Sequence, residues 1–288
     1  MSNKDLLDNI KKLREMTGVG FKDCKVALDE TNGDLDKSIE FLRKKGIAKA
    51  SKKMSRTASE GLALVKESDG KISIIEINSE TDFVAKNQDF INFCKELSEL
   101  NFQFNGDLDK LNNTKMGNGI LVKDNLVSLI AKIGEKITIR RANFFDNSDG
   151  TNFFYVHSAI EKGIGKIISI VKLDGISKGK NDGLGVKIAM HIAASNPLAI
   201  NADNIEKSLV DKELEIIQAE IINSGKPKEM AEKISKGKIS KFLNDNSLLN
   251  QIWIMDQKKK VSEILKENST EKKLKVLDFI RYKVGEGV

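Results

Sequence analysis

Chemistry-bearing side chains are scarce in this chain, and those present do not gather into a reaction centre. The two histidines, His157 and His191, are far apart, and neither shares with Cys24 or Cys94 the short spacings that build zinc sites. Gly163-Ile164-Gly165-Lys166 is glycine-rich, but no Gly-Lys pair is followed by Ser or Thr, so the phosphate-cradling loop G-x-x-x-x-G-K-[ST] is missing. Neither a G-x-G-x-x-G after a strand nor a G-x-S-x-G elbow occurs, and the many carboxylates are scattered over polar faces. The residues therefore predict no catalytic centre, metal site or cofactor. What stands out instead is Thr81-Asp82-Phe83, within IIEINSETDFVAKNQDF at 74–90. Ser79, Glu80, Thr81 and Asp82 are turn and capping residues, and Phe83 opens the segment that follows. A large ring at such a joint can staple back onto its own core or project as an anchor into a partner's pocket. The pattern alone favours the staple, because most Phe residues are core.

Elements on either side must position that joint. Ile75 and Ile77 read as a buried strand, and Val84, Ile91, Cys94 and Leu97 as one face of a helix over 84–100. Leu62–Val65 and Lys71–Ile77 are strands divided by the hairpin signal Asp69-Gly70. After a turn-rich stretch at 101–119, Leu121–Ile133 is a helix ended at Gly134, and Lys136–Ala142 is a strand. This makes an α+β layer, an antiparallel sheet with helices on one face. A similar order follows, with strands at Phe153–His157 and Ile167–Leu173, a helix at Leu184–Ala194, and a closing strand around Phe279, Ile280 and Tyr282. Helices at 211–223 and 227–245, joined by Ser224-Gly225-Lys226-Pro227, interrupt this second copy as an antiparallel hairpin, acidic on one arm and lysine-rich on the other.

Ahead of these lobes, residues 3–46 form three short helices. Leu6, Ile10 and Leu13 give the first its apolar face, Gly18 and Gly20 turn the chain, Asp34 caps the third helix, and Gly46 is a plausible stop. The basic stretch at 43–56 reads as a solvated tether rather than a polyanion site, since no aromatic residues interleave its charges. The expected organisation is a three-helix unit at 1–46, a basic linker at 47–59, one lobe at 60–148 and a second at 149–288 carrying the hairpin at 211–245.

With 288 residues, 40% hydrophobic and 31% charged, the chain can bury two or three compact cores. No apolar run approaches the eighteen or so residues of a membrane span, and the N-terminus lacks a signal-peptide h-region, so the expected compartment is the cytoplasm. A net charge of +6 permits attraction to polyanions, yet without stacking aromatics direct nucleic-acid binding is not expected. Cys24 and Cys94 read as buried thiols, His191 as a packed helix residue and Trp253 as a packing anchor.

LREMTGVGFKDCKVALDETNGDLDKSIEFLRKKG (13–46), SETDFVAKNQDF (79–90), AKIGEKITIRRA (131–142), AMHIAASNP (189–197), SGKPKEMAEKI (224–234) and FIRYKVGEG (279–287) together resemble the bacterial elongation factor Ts family over essentially the whole chain. The resemblance implies a guanine nucleotide exchange factor for the GTPase elongation factor Tu. It also implies a ubiquitin-associated-like three-helix N-terminal domain and a two-lobed core with antiparallel sheets. The family's Thr-Asp-Phe motif falls on Thr81, Asp82 and Phe83, of which the Asp and Phe enter the partner's nucleotide domain. By the same carry-over Ile133 and Gly134 pack beside that wedge, Phe21 and Lys22 touch the same partner domain, and His157 falls in the second lobe's contact region. Whether the hairpin pairs with the partner or with a second copy, as a homodimer, is left open by the resemblance. Some family members continue past the closing Val-Gly-Glu-Gly with a further helical module, a contact expected to be missing here.

Overall fold

The structure, a computed structural model, describes residues 3–17, 19–176, 182–223 and 228–288. Gly18 of the first expected turn and the Ser224-Gly225-Lys226-Pro227 joint lie outside those residues. Helices α1 (Asn3–Thr17), α2 (Phe21–Glu30) and α3 (Leu35–Ser51) close on Ile10, Leu13, Cys24, Ala27, Leu28 and Leu42. Asn32 and Gly33 both adopt positive φ, which reverses the chain, and the Asp34 carboxylate accepts the Lys37 N–H at 3.0 Å to start α3.

One expectation fails here. Helix α3 does not stop at Gly46 but runs to Ser51, taking up the first part of the expected linker. The reason is packing. Arg43 pairs with Asp124 at 2.8 Å, and a Cβ on Gly46 would stand 3.5 Å from that of Ala131. Gly46 thus lies within a helix packed on a second helix rather than at a cap, where an added Cβ would make only ordinary contact, and that packing outweighs glycine's low helix propensity.

The first lobe holds β1 (Glu60–Ser68), β2 (Lys71–Ser79), α4 (Gln88–Gln103), α5 (Leu108–Asn112), α6 (Val122–Ile133) and β3 (Ile137–Phe145). The second holds β4 (Thr151–His157), β5 (Ile164–Gly165), β6 (Ile167–Asp174), α7 (Asp182–Ser195), the hairpin α8 (Lys207–Asn223) and α9 (Lys228–Asn246), α10 (Val261–Glu267) and β7 (Lys275–Lys283). Their pairing gives two antiparallel sheets, ordered β3-β2-β1-β5 and β4-β6-β7. The short helices α5 and α10 are absent from the sequence expectation.

Alternation along the strands sets the layers. Leu62, Leu64, Ile75 and Ile77 lie under the helices with Phe90, Cys94, Leu97 and Ile130. Their neighbours Ala63, Val65, Ile72 and Ile74 face the other way, against Ile168, Ile170 and Tyr282 of the second sheet. Val171 and Leu173 then point outward to Ile188, Ile192, Trp253 and Val261. The two sheets therefore pack face to face with helices outside both, an α+β arrangement of four layers. His191 is buried, stacked on Trp253 with ring centroids 5.2 Å apart, and its Nε2 lies 3.0 Å from the Gln251 side chain. Both cysteines are free and buried.

A buried ionic cluster ties the chain's end to the first lobe. Glu76, on the Ile72 and Ile74 side of β2, is fully buried, with Arg141 Nε at 2.5 Å and Arg140 Nη1 at 3.0 Å. The Gly285 N–H donates to it at 2.9 Å, as does the Asn78 amide, and Arg140 also reaches the Glu286 carbonyl. Burial pushes the Glu76 carboxyl up, but the Gly285 N–H, Asn78 and the two guanidinium groups outweigh it and hold the acid below its ordinary value. A depressed folded-state pKa means stability that is present above the ordinary value of 4.5 and lost as pH falls below it. Glu76→Gln, which strands two arginines, is expected to cost about 3 kcal/mol in urea denaturation at pH 7 and to flatten the loss of stability as pH falls below 4.5. A wild-type urea midpoint and pH profile in the variant would contradict this.

Candidate partner-binding site

The strand register explains how the Thr81 turn is held. Ser79 of β2 pairs with Ile137 of β3, the last rung of an antiparallel ladder. Continuing that register sets Glu80 opposite Lys136 and Thr81 opposite Glu135. Side chains then replace the missing backbone rungs. Glu135 accepts the Thr81 N–H at 3.0 Å through one oxygen and the Thr81 hydroxyl at 2.8 Å through the other. Glu80 reciprocates by accepting the Lys136 N–H at 2.6 Å, and its second oxygen takes Arg56 at 3.0 Å. Burial raises the Glu80 carboxyl, while the Lys136 N–H and the Arg56 charge lower it further, so the group stays ionised. The Ser79 hydroxyl donates to the Thr81 carbonyl at 3.0 Å.

Beyond Thr81 the chain enters one turn of 3₁₀-helix, Val84–Lys86, and then α4, capped by Asn87, whose side chain accepts the Asp89 and Phe90 N–H groups. Val84 and Ala85 are buried in the first-lobe core, whereas Phe83 is 77% exposed. This reverses the staple expected from the pattern alone. A 3₁₀ turn gives each residue about 120° of rotation, so burying Val84 and Ala85 swings Phe83 to the solvent side. The Lys86 ammonium bonds Asp82 at 2.8 Å and lies 5.8 Å from the centre of the Phe83 ring. That hydrogen bond, with the fields of Lys86 and Lys166, holds the exposed Asp82 carboxyl below its usual range.

Of the other expected site residues, Ile133 and Gly134 are at this turn. Ile133 ends α6, half-buried on the core, and Gly134 is its left-handed cap at φ 86° with open space around it. Phe21 and Lys22 stand exposed at the start of α2, with Phe21 47% accessible. His157 ends β4 and is also exposed, its Nδ1 3.3 Å from the Tyr155 hydroxyl. It pairs with Ile167, next to Lys166, whose ammonium bonds Glu60 at 2.6 Å, and Glu60 lies opposite Ser79 at the start of the same turn. Sequence reasoning did not find Glu80 or Glu135 as supports; the one signal was the strand register, which needs the pairing of β2 with β3.

Among the described residues no group of His, Cys, Asp and Glu could hold a metal ion, and no helix is long and apolar enough to cross a membrane. An aromatic ring is thus held in water on a braced turn, beside one carboxylate and one ammonium. The profile described as Elongation factor TS matches residues 80–286. The chain is 39% identical over 284 residues to elongation factor Ts of Zymomonas mobilis, covering 97% of this chain and 92% of that protein. It is 41% identical over 285 residues to that of Methylorubrum extorquens strain PA1, with the same coverage. To that of Rickettsia prowazekii it is 40% identical over 284 residues, covering 97% and 91%. The chain belongs to the elongation factor Ts family and so to the translation elongation machinery.

An exposed ring should contribute nothing to the fold. Phe83→Ala is expected to leave stability within about 0.5 kcal/mol of wild type, whereas Val84→Ala, one residue on and buried, should cost about 2 kcal/mol. Thermal denaturation of the two variants checks this, and a large loss for Phe83→Ala would contradict the outward placement.

Proposed function

We propose that this chain is a guanine nucleotide exchange factor. It binds elongation factor Tu and promotes GDP release during translation elongation by wedging Asp82 and Phe83 into the partner's nucleotide domain. The observation that carries this is the 77% exposure of Phe83 on a turn whose two ends are fixed. An exchange factor needs no catalytic groups. It must bind its partner better when nucleotide is absent than when it is present, because the factor by which it weakens nucleotide binding equals the factor by which nucleotide weakens its own. Equal affinity for both states would release nothing.

A ring that fits only a gap opened by shifted helices meets this requirement, since its burial is available in one state alone. Covering a Phe side chain is worth about 1.5–3 kcal/mol. Asp82 would bring a negative charge toward a phosphate and magnesium site, where displaced contacts are expensive. Ile133 and Gly134 flank the wedge, Phe21 and Lys22 extend the contact from the three-helix unit, and His157 adds one from the second lobe. The division into a three-helix unit, a connecting segment and two lobes would serve to spread these contacts over one partner, working in the cytoplasm.

Release of labelled GDP from elongation factor Tu, with and without this chain, tests the reading. The wild-type protein is expected to accelerate release, and Phe83→Ala to lose about 10- to 150-fold of that acceleration, the equivalent of 1.5–3 kcal/mol. Undiminished exchange by Phe83→Ala would overturn the wedge, and no acceleration by the wild type would overturn the function.

A further inference from the structure

We propose that Glu135 is a positioning residue for the exposed ring, and that Thr81 works inward as its partner rather than outward as a contact. This deepens the exchange reading above and rests on it for its kinetic consequences. Three observations support it. First, a single carboxylate takes both the backbone N–H and the hydroxyl of Thr81, at 3.0 and 2.8 Å, which fixes the backbone and the side-chain rotamer of that residue together. The hydroxyl hydrogen is thereby committed inside the protein.

Second, the fold places Glu135 directly across from Thr81. Gly134, at φ 86°, turns the chain out of α6, and Ile137 pairs with Ser79, so Glu135 emerges across from Thr81 at the end of the ladder. Third, the ring has almost no packing of its own, being 77% exposed, so its direction is set by the backbone on either side. Val84 and Ala85 anchor the downstream side in the core, and Thr81 is the upstream anchor, two residues from the ring. Releasing Thr81 lets Asp82 and Phe83 sample other conformations. Each docking event must then order them again, a cost that preorganisation removes.

The test uses the full-length protein with Glu135→Ala and with Thr81→Val, a same-shape change that keeps the N–H and deletes the hydroxyl. Thr81→Ser keeps both donors and should restore the wild-type behaviour. For Glu135→Ala the concentration giving half-maximal GDP release is expected to rise about tenfold while the saturated rate stays within about twofold, because a loosened turn weakens docking but leaves the ring able to act once seated. In a Phe83→Ala background the same substitution should add less than about twofold, since Glu135 acts through the ring.

An undiminished tenfold loss in that background would show direct contact or general damage to the lobe, and would overturn the proposal. So would an unchanged half-maximal concentration in both Glu135→Ala and Thr81→Val. The backbone order parameters of Asp82 and Phe83 in the free protein give a readout independent of exchange. They are expected to fall from the rigid range, about 0.85, toward 0.6 in Glu135→Ala. If wild-type protein fails to release GDP, the exchange reading falls, and the order parameters alone decide for or against positioning.

Discussion

A phenyl ring left in water is the constraint around which the first lobe is arranged. Nothing in the ring's own chemistry keeps it outside; apolar surface is driven inward unless the backbone forbids it. Here the prohibition comes from both sides. The downstream residues Val84 and Ala85 occupy the core space that a stapled ring would need, and the upstream residue Thr81 is held by Glu135. The hydrophobic effect that would bury one Phe is thus used on its neighbours. The ring stands out where the residues on both sides of it are held.

The rest of the molecule supports this placement at increasing distance. The ladder between β2 and β3 brings the 80–83 and 133–136 turns side by side. Face-to-face packing of the two sheets fixes the second lobe against the first, and the buried Glu76 cluster fastens the chain's closing residues across the joint. Helix α3 docks the three-helix unit on α6, the helix whose C-terminal turn carries Gly134 and Glu135. Contacts proposed for Phe21, His157 and Phe83 therefore issue from one connected framework, which lets several weak attachments act together on a single partner.

Much of this was legible from sequence, for identifiable reasons. Strand and helix periods revealed most of the elements, and Asp69-Gly70 marked the hairpin, where both residues take positive φ. What escaped was tertiary. Gly46 read as a stop because the packing that carries α3 past it, against Ala131, comes from far along the chain. On pattern alone Phe83 read as a staple, and only the family resemblance turned it outward, because the choice between inside and outside is made by a single 3₁₀ turn, which no apolar period reports. Glu135 carried no signal of its own, since its partner Thr81, 54 residues away, is brought near by the sheet. Helices α5 and α10, each too short to show a period, were likewise hidden.

The central claim is that this surface discriminates between two states of a partner. The most direct measurement is the dissociation constant of the wild-type chain for elongation factor Tu, once stripped of nucleotide and once saturated with GDP and magnesium. Much tighter binding to the stripped form, by the same factor by which the chain weakens GDP affinity, is the result the account predicts. Equal affinity for the two forms would contradict it, however tight the binding and however exposed the ring.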